Sequence, residues 1–191
     1  MRIGIFGGTF NPIHIGHLIV AEEVRQKLKL DKVFFIPTFN PPHKKRFAPY
    51  QERLLMVKMS IKDNPYFEIS EIEKERGGKS FTIDTLRELK RFYPKDNLFL
   101  IIGTDQFLEL SNWEKPDELF KLAKICVMRR AGVKFNEARQ RKFPRALVLD
   151  VTQVEISGKE IRRRIKSGIS VRYLLPEKVY QYILKNRLYQ V

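Results

Sequence analysis

Residues 7–17 have the sequence Gly-Gly-Thr-Phe-Asn-Pro-Ile-His-Ile-Gly-His, and they stand between an apolar run at 3–6 and a segment that is apolar at helical spacing. This order predicts a strand, a tight loop and the start of a helix. Two adjacent glycines let the main chain turn sharply and present its N–H groups, because no Cβ stands in the way. The helix start adds unpaired N–H groups and the positive end of the helix dipole. We therefore expect this stretch to attract an anion.

The two histidines of the stretch, His14 and His17, share one face in the first turn of the expected helix. Imidazole has an unperturbed pKa of about 6.5, and a neighbouring phosphate favours its charged form. The spacing also suits half of a metal site or two ordinary surface residues. All three histidines of the chain lie between residues 14 and 43, in loops that carry glycine or proline. This concentration favours a functional site, which we interpret as a phosphate cradle.

Length and composition set the broad class. A chain of 191 residues with 43% hydrophobic residues predicts a single globular domain over 1–191. No apolar run approaches the roughly 20 residues that cross a bilayer, and the N-terminus lacks the apolar core of a signal peptide. Cys126 is the one cysteine and so cannot form an internal disulfide. We therefore expect a cytoplasmic protein without a membrane partner.

The net charge of +15 comes from 37 basic and 22 acidic residues. A field of that sign attracts nucleotides, phosphorylated metabolites, nucleic acids and acidic membrane surfaces alike. The basic residues are spread along the chain, so charge alone does not choose among these partners.

Alternating apolar and amphipathic segments predict an α/β fold, in which a Rossmann-like, open and mostly parallel sheet carries helices on both faces and a C-terminal helical segment closes the core. Strands are expected at 3–6, 33–36, 67–72, 98–102, 124–128 and 146–151. Helices are expected at 15–30, 49–63, 80–93, from 106, and at 117–122, 157–165 and 176–186. The segment 98–102 is the most apolar and should be central, whereas alternation over 67–72 indicates an edge strand.

A second helix start has the same character as the first. Ser157 is the expected N-cap, and Glu160 three residues later completes the pattern of a capping box. Helical phasing turns Ile161 and Ile165 inward and leaves Arg162 to meet an anion.

The loop after the second expected strand carries Asn40, His43 and Lys44, with two prolines that fix φ. Ligands of open α/β sheets usually bind at this edge, although the prolines could simply end one element and the lysine could be solvated. Thr82 could face a polar ligand group or serve, with its neighbours, as a helix cap.

The end of the central strand offers two further candidates. Asp105, just after Gly103, could accept hydrogen bonds from a ribose or cap the following helix. Trp113 is the one tryptophan, and it could stack on a heteroaromatic ring or pack in the core.

Several chemistries lack their motifs. The chain has no Gly-x-x-x-x-Gly-Lys-Ser/Thr, Gly-x-Gly-x-x-Gly, Gly-x-Ser-x-Gly or His-Glu-x-x-His, and it has no cysteine cluster. Two anion-attracting helix starts with histidines and cations suit phosphoryl or nucleotidyl transfer by positioning, which needs no protein nucleophile.

The ordered motifs also resemble a known family. Residues 7–17 resemble the signature of the His-x-Gly-His nucleotidyltransferase superfamily, and 156–162 resemble its later Ser-x-x-x-x-Arg motif. Within that superfamily, Pro-Pro-His-Lys at 41–44, Ser-Phe-Thr-Ile-Asp-Thr-Leu at 80–86, and Gly-Thr-Asp at 103–105 with Trp113 resemble the bacterial nicotinate-nucleotide adenylyltransferases. The resemblance spans residues 3 to about 184.

The resemblance implies transfer of AMP from ATP to nicotinate mononucleotide in NAD biosynthesis, giving deamido-NAD and pyrophosphate, with Mg2+ held mainly by substrate phosphates and not by protein ligands. The implied catalytic residues are His14, His17 and Arg162. The implied ATP-binding residues are Gly7, Gly8, Thr9, Phe10, His14, His17, Gly103, Asp105, Ser157 and Arg162. The implied nicotinate-nucleotide-binding residues are Asn40, His43, Lys44, Thr82, Trp113 and Arg130.

Other functions stay open at this point. Nicotinamide mononucleotide is an alternative acceptor, whereas the segments at 41–44 and 80–86 argue against phosphopantetheine. A basic nucleic-acid-binding module is disfavoured, because no basic helix is interleaved with exposed aromatic residues. We therefore expect small-molecule substrates and no nucleic-acid partner, and the oligomeric state is open, a homo-oligomer included. The chain departs from the family's usual Asp at Asn11, and from its usual Ser-Thr at Gly158 and Lys159, where Lys159 could supply charge in place of a hydroxyl.

Overall fold

A computed structural model describes residues 1–42, 47–129 and 141–190 of the chain. The strands of this part are β1 Arg2–Gly8, β2 Lys32–Pro37, β3 Phe67–Ile69, β4 Asn97–Gly103, β5 Lys124–Met128 and β6 Leu147–Leu149. The α-helices of this part are α1 Ile15–Lys27, α2 Tyr50–Ile61, α3 Ile72–Arg76, α4 Thr82–Phe92, α5 Thr104–Leu108, α6 Pro116–Leu122, α7 Gly158–Lys166 and α8 Glu177–Lys185. A short 3-10 helix, Leu110–Asn112, follows α5.

The strands form one sheet in the order β3-β2-β1-β4-β5-β6, and all the pairings are parallel. The chain runs outward from β1 to β3 and then returns to the middle of the sheet at β4. In this topology, loops that leave the carboxyl ends of β1 and β4 separate to opposite sides, and the crevice between them is where open α/β sheets bind ligands. The expected Rossmann-like fold and the central position of β4 are confirmed.

The sheet is buried on both faces, and each face has its own hydrophobic cluster. Neighbouring residues of a strand point to opposite faces, so Phe35 belongs to one cluster and Phe34 to the other. Helices α1, α2, α7 and α8 contribute to the first cluster through Val24, Met56, Ile161 and Val179, among others. Helices α3, α4 and α6 contribute to the second through Ile72, Leu86 and Leu119, among others. The expectation of helices on both faces is therefore confirmed.

Some expected boundaries are wrong. The strand expected at 67–72 ends at Ile69, and Ile72 begins α3 instead. Alternation over a few residues cannot separate a strand end from one helical turn, since both place Ile72 in the core. The edge position of β3 is confirmed.

In α1 the fully buried residues include Ala21, whereas Ile19, expected to face the sheet, is only partly buried.

None of the helices within the described ranges has both the length and the apolar character that spanning a membrane requires.

Candidate functional site

The loop between β1 and α1 turns at an unexpected residue. Gly7 and Gly8 are the last residues of β1, and the left-handed backbone falls on Phe10, with φ 45°. The ring of Phe10 is 3% exposed and packs in the first cluster, so only its backbone can face a ligand. A Cβ on Gly7 would meet nothing within 4 Å. Gly7 therefore leaves room above the strand end, but the two glycines do not make the turn that the sequence suggested.

The rings of His14 and His17 lie next to each other at the start of α1. The backbone N–H of His14 donates to His17 Nδ1 at 3.1 Å, and the ring centroids are 3.7 Å apart, with the ring planes tilted by 30°. Because Nδ1 of His17 accepts, a neutral His17 carries its proton on Nε2, which is then a donor.

Gly16 makes room for this arrangement. His14 is buried, with 6% of its surface exposed, and its ring lies against the first turn of α1. A Cβ on Gly16 would stand 3.2 Å from Nδ1 of His14. This contact is tighter than ordinary packing, so a larger residue here would displace the ring.

The start of α7 is capped as the sequence predicted, but only in part. Ser157 Oγ accepts a hydrogen bond from the Glu160 N–H at 3.2 Å. The Glu160 carboxylate pairs with Arg163 and Arg164 and does not reach back to Ser157. These bonds lower the pKa of Glu160 to about 2, and the bond from Arg163 contributes most. The N-cap is confirmed, while the carboxylate half of the capping box is replaced by ion pairs, because Arg163 and Arg164 lie one turn away on the same helix.

The two helix starts meet at one loop. Arg162 Nη1 donates to the carbonyl oxygen of Asn11 at 2.6 Å. A Cβ on Gly158 would lie 3.0 Å from the same carbonyl oxygen, which leaves no room for an ordinary side chain without a shift. The Asn11 side chain in turn accepts from the Ala48 N–H at 3.1 Å. We call residues 9–17 and 157–162 the helix-terminus side. It unites His14, His17, Ser157 and Arg162, which are far apart in the sequence.

The end of β4 lies across the crevice from β1. Asp105 is exposed, and a Cβ on Gly103 would stand 2.5 Å from its carboxylate oxygen, so glycine permits this placement of the carboxylate. Helix α5 begins at Thr104, before the residue at which we expected it to start. Asp105 therefore lies within the first turn and not at the cap position. Thr104 is fully buried and donates to the Met128 carbonyl at 3.0 Å, which ties the ends of β4 and β5 together.

A second group of candidates lies beyond β2. The Asn40 N–H donates to Ser80 Oγ, and the Ser80 N–H donates to the Asn40 carbonyl, both at 3.0 Å. This pair of bonds brings Asn40 close to Thr82, the first residue of α4. We call residues 38–42 and 80–82 the loop side. Trp113 follows the 3-10 helix on the carboxyl side of β4, where it is partly buried against the second cluster.

Sequence reasoning missed the residue that joins these two sides. Arg53 is fully buried in α2. Its Nε donates to the Ala48 carbonyl at 2.9 Å, and its Nη1 donates to the carbonyls of Thr9 and Thr38, each at 2.8 Å. Burial lowers the pKa of this guanidinium, which nevertheless stays protonated. The sequence contained a signal for the burial of this arginine. Arg53 lies three residues before Met56 and four before Val57, on the buried face of α2.

Glu73 is a second buried charge that was missed. It is 6% exposed and lies in α3. One carboxylate oxygen accepts from the Phe39 N–H at 3.2 Å, and the other accepts from the Thr85 hydroxyl at 3.0 Å. Glu73 therefore holds the loop side from below.

Three predicted site residues, His43, Lys44 and Arg130, lie outside the described residues. Within the described ranges, no group of three or more His, Cys, Asp and Glu side chains is placed to hold a metal ion.

Known proteins resemble this chain in sequence and in fold. The family model of cytidylyltransferase-like proteins matches residues 5–164. The probable nicotinate-nucleotide adenylyltransferase of Desulfitobacterium hafniense is 43% identical, covering 100% of this chain and 96% of its own. That of Thermus thermophilus is 42% identical over 100% of both chains. The Plasmodium falciparum nicotinic acid mononucleotide adenylyltransferase complexed with NaAD has the same fold, with a TM-score of 0.86, 19% identity, and coverage of 98% of this chain and 97% of its own.

The family model and these full-length relatives define the chain as a nucleotidyltransferase. The chain belongs to the cytidylyltransferase-like family, within the group of nicotinate-nucleotide adenylyltransferases.

Proposed function

We propose that this protein transfers the adenylyl group of ATP to nicotinate mononucleotide. A phosphate oxygen of the mononucleotide attacks the α-phosphorus of ATP, the bond from that phosphorus to the bridging oxygen of the β-phosphate breaks, and deamido-NAD and pyrophosphate form. The observation that carries the proposal is the meeting of two helix starts, with His14, His17 and Arg162, at the Asn11 loop. The names and full-length similarity of the relatives support the choice of acceptor.

On the helix-terminus side the protein acts by electrostatic positioning. His14 and His17 contact the ATP phosphates and stabilise the charge that spreads over the phosphorus in the transition state. The proton on Nε2 of His17 is fixed there by the bond at Nδ1, so this ring offers a donor without rearrangement. Ser157 and Arg162 hold the β- and γ-phosphates as they depart.

The rest of the ATP is bound along the crevice. The backbones of Gly7, Gly8, Thr9 and Phe10 face the phosphates, because the space above Gly7 is open. Gly103 and the exposed carboxylate of Asp105 contact a ribose, whose hydroxyls are suitable donors to a carboxylate.

The loop side binds nicotinate mononucleotide. Asn40 and Thr82 are the polar contacts, and Trp113 lies near the pyridine ring, where its indole offers a flat apolar surface. His43, Lys44 and Arg130 complete this set in the proposal. They supply positive charge for the phosphate and carboxylate of the nucleotide.

Nucleotidyltransferases generally use a divalent metal ion, and we propose Mg2+ for this one. The oxygen atoms of ATP phosphates are the hard ligands that Mg2+ prefers, so the ion enters with the substrate. When bound, it neutralises phosphate charge. The cations of the helix-terminus side do the same for the oxygens that face them.

We further propose that the whole chain, 1–191, is one domain and acts in the cytoplasm. Val179 and Ile183 of α8 pack in the same cluster as Phe6 of β1, which supports a shared core from end to end. Cys126 is buried, and burial raises the pKa of its thiol to about 12, so it is kept from forming disulfides.

A panel of acceptors tests the function. Purified protein with ATP and Mg2+ should release pyrophosphate when nicotinate mononucleotide is added, with a higher kcat/KM than for nicotinamide mononucleotide, and it should release none with phosphopantetheine. The proposal is rejected if no mononucleotide supports release. Fluorescence of the sole tryptophan should change on adding nicotinate mononucleotide, and Trp113→Phe should abolish that signal.

A further inference from the structure

The ladder between β1 and β2 ends where the two proposed substrate loops begin. Gly8 pairs with Pro37 at the last step of the register, and the Thr38 N–H still donates to the Gly8 carbonyl at 2.9 Å. The next carbonyls, those of Thr9 and Thr38, both accept from Nη1 of Arg53. Nη1 of Arg53 therefore bridges the carbonyl oxygens of Thr9 and Thr38, one step beyond the last strand pairing. Two carbonyl groups could not hydrogen-bond to each other there.

Burying the charged side chain of Arg53 on the inner face of α2 costs free energy. Removing a charge from water is unfavourable, and apolar residues of similar volume are often as stabilising. Nη2 of Arg53 is also buried, and none of the described residues is its hydrogen-bond partner. Stability alone therefore gives a weak reason for arginine at this position. The planar guanidinium can instead bind several carbonyls at fixed angles, which a lysine ammonium on its flexible stem does less well.

We propose that Arg53 is a positioning residue. It fixes the loop after β1, which is proposed to bind ATP, relative to the loop after β2, which is proposed to bind nicotinate mononucleotide. It holds Thr9 of the first loop and Thr38 of the second through one nitrogen. Through Nε it also holds Ala48, whose N–H bonds to Asn11. Reaction requires the acceptor phosphate to stand in line with the α-phosphorus, and a displacement of about 1 Å can cost 100-fold in rate. The inference rests on the proposed function only for the identity of the two ligands.

The test compares Arg53→Gln and Arg53→Lys with Met56→Ala. Met56 is fully buried on the same helix and belongs to the first hydrophobic cluster, so its truncation should destabilise the protein while leaving the hydrogen bonds of Arg53 to Thr9 and Thr38 in place. Arg53→Gln should raise the KM values for both ATP and nicotinate mononucleotide and lower kcat, each by about tenfold or more. Arg53→Lys keeps the charge and should recover part of the loss. Met56→Ala should lower the Tm at least as much while leaving both KM values within about twofold of wild type.

Amide hydrogen exchange without substrates provides a readout that is independent of the reaction. Peptides containing Thr9 and Thr38 should exchange faster together in Arg53→Gln, and Met56→Ala should not produce that paired change. The proposal is overturned if Arg53→Gln alters the kinetics no more than Met56→Ala, or if only one loop or one substrate responds. If the acceptor panel rejects the proposed reaction, faster exchange in both loops would still support the coupling of the loops.

Discussion

The helix-terminus side and the loop side stand at the same edge of the sheet but are held by different means. On the helix-terminus side, close backbone approach at Gly16 and Gly158 and the bond from Arg162 to Asn11 fix the groups that would face ATP. On the loop side, buried charges at Arg53 and Glu73 hold the backbone from beneath. We therefore expect changes on the helix-terminus side to act on ATP binding and turnover, and a change at Glu73 to act on the KM for nicotinate mononucleotide.

The largest effect is expected from His17→Ala. The variant removes a donor aimed at charge that develops in the transition state, and kcat should fall by about 100- to 1,000-fold. Its Tm should fall by only about 2–4 °C, because His17 is partly buried and the variant loses one hydrogen bond, from the His14 N–H, worth about 1 kcal/mol. Pyrophosphate release and thermal unfolding measure the two quantities. A folded variant with near-normal turnover would remove His17 from the mechanism.

Arg162→Ala should lower kcat/KM for ATP by about 10- to 100-fold, because both a cation and the tether to Asn11 are lost. The matched control is Arg163→Ala on the same helix. Arg163 is 61% exposed and pairs with Glu160, so its loss should change kcat/KM by less than about twofold. Equal effects of the two variants would show that only the net charge of α7 matters.

Glu73→Gln should raise the KM for nicotinate mononucleotide by about tenfold and leave the KM for ATP unchanged. One carboxylate oxygen becomes an NH2 group that cannot accept, and the charge-assisted bond from the Phe39 N–H becomes a neutral one or is lost, at a cost of about 1–3 kcal/mol, while the Thr85 hydroxyl can still donate to the Phe81 carbonyl. Steady-state kinetics with each substrate varied in turn measures the split. An equal rise in both KM values would contradict the separation of the two sides.

Gly158→Ala should have the smallest effect. The new methyl group would press on the Asn11 carbonyl, and a cost of about 1 kcal/mol would lower the Tm by about 2–4 °C. The control is Gly168→Ala, whose Cβ would meet nothing within 4 Å but whose φ of 68° strains any side chain. Both variants should lose stability, but only Gly158→Ala should also weaken ATP binding, as calorimetry can measure. Unchanged ATP affinity would argue against contact between the start of α7 and the nucleotide.

The two sides also differ in how far their residues could be predicted. His14 and His17 lie within one helical turn, and Ser157 begins a helix with a recognisable cap, so local patterns sufficed. Asn40 and Thr82 come together only through the bonds between Asn40 and Ser80, which link segments 40 residues apart. The roles of all these residues stay predictions, as do those of His43, Lys44 and Arg130.

Local chemistry could also mislead. The paired glycines suggested the turn, but Phe10 makes it, since its ring is fixed in the core and the backbone follows. Glu160 fitted a capping box, but two arginines on the same helix compete for its carboxylate.

The sequence by itself determined the α/β fold, the parallel sheet, the central place of β4 and the positions of the two helix starts, because periodicity, capping and glycine placement are local properties. Only the tertiary structure decided that both helix starts meet at Asn11 and that Arg53 and Glu73 support the loops. Those contacts depend on which buried carbonyl or N–H group the folded chain leaves without a backbone partner. The unmatched groups arise where β1 and β2 end, and a linear pattern of residue types does not reveal which distant side chain will reach them.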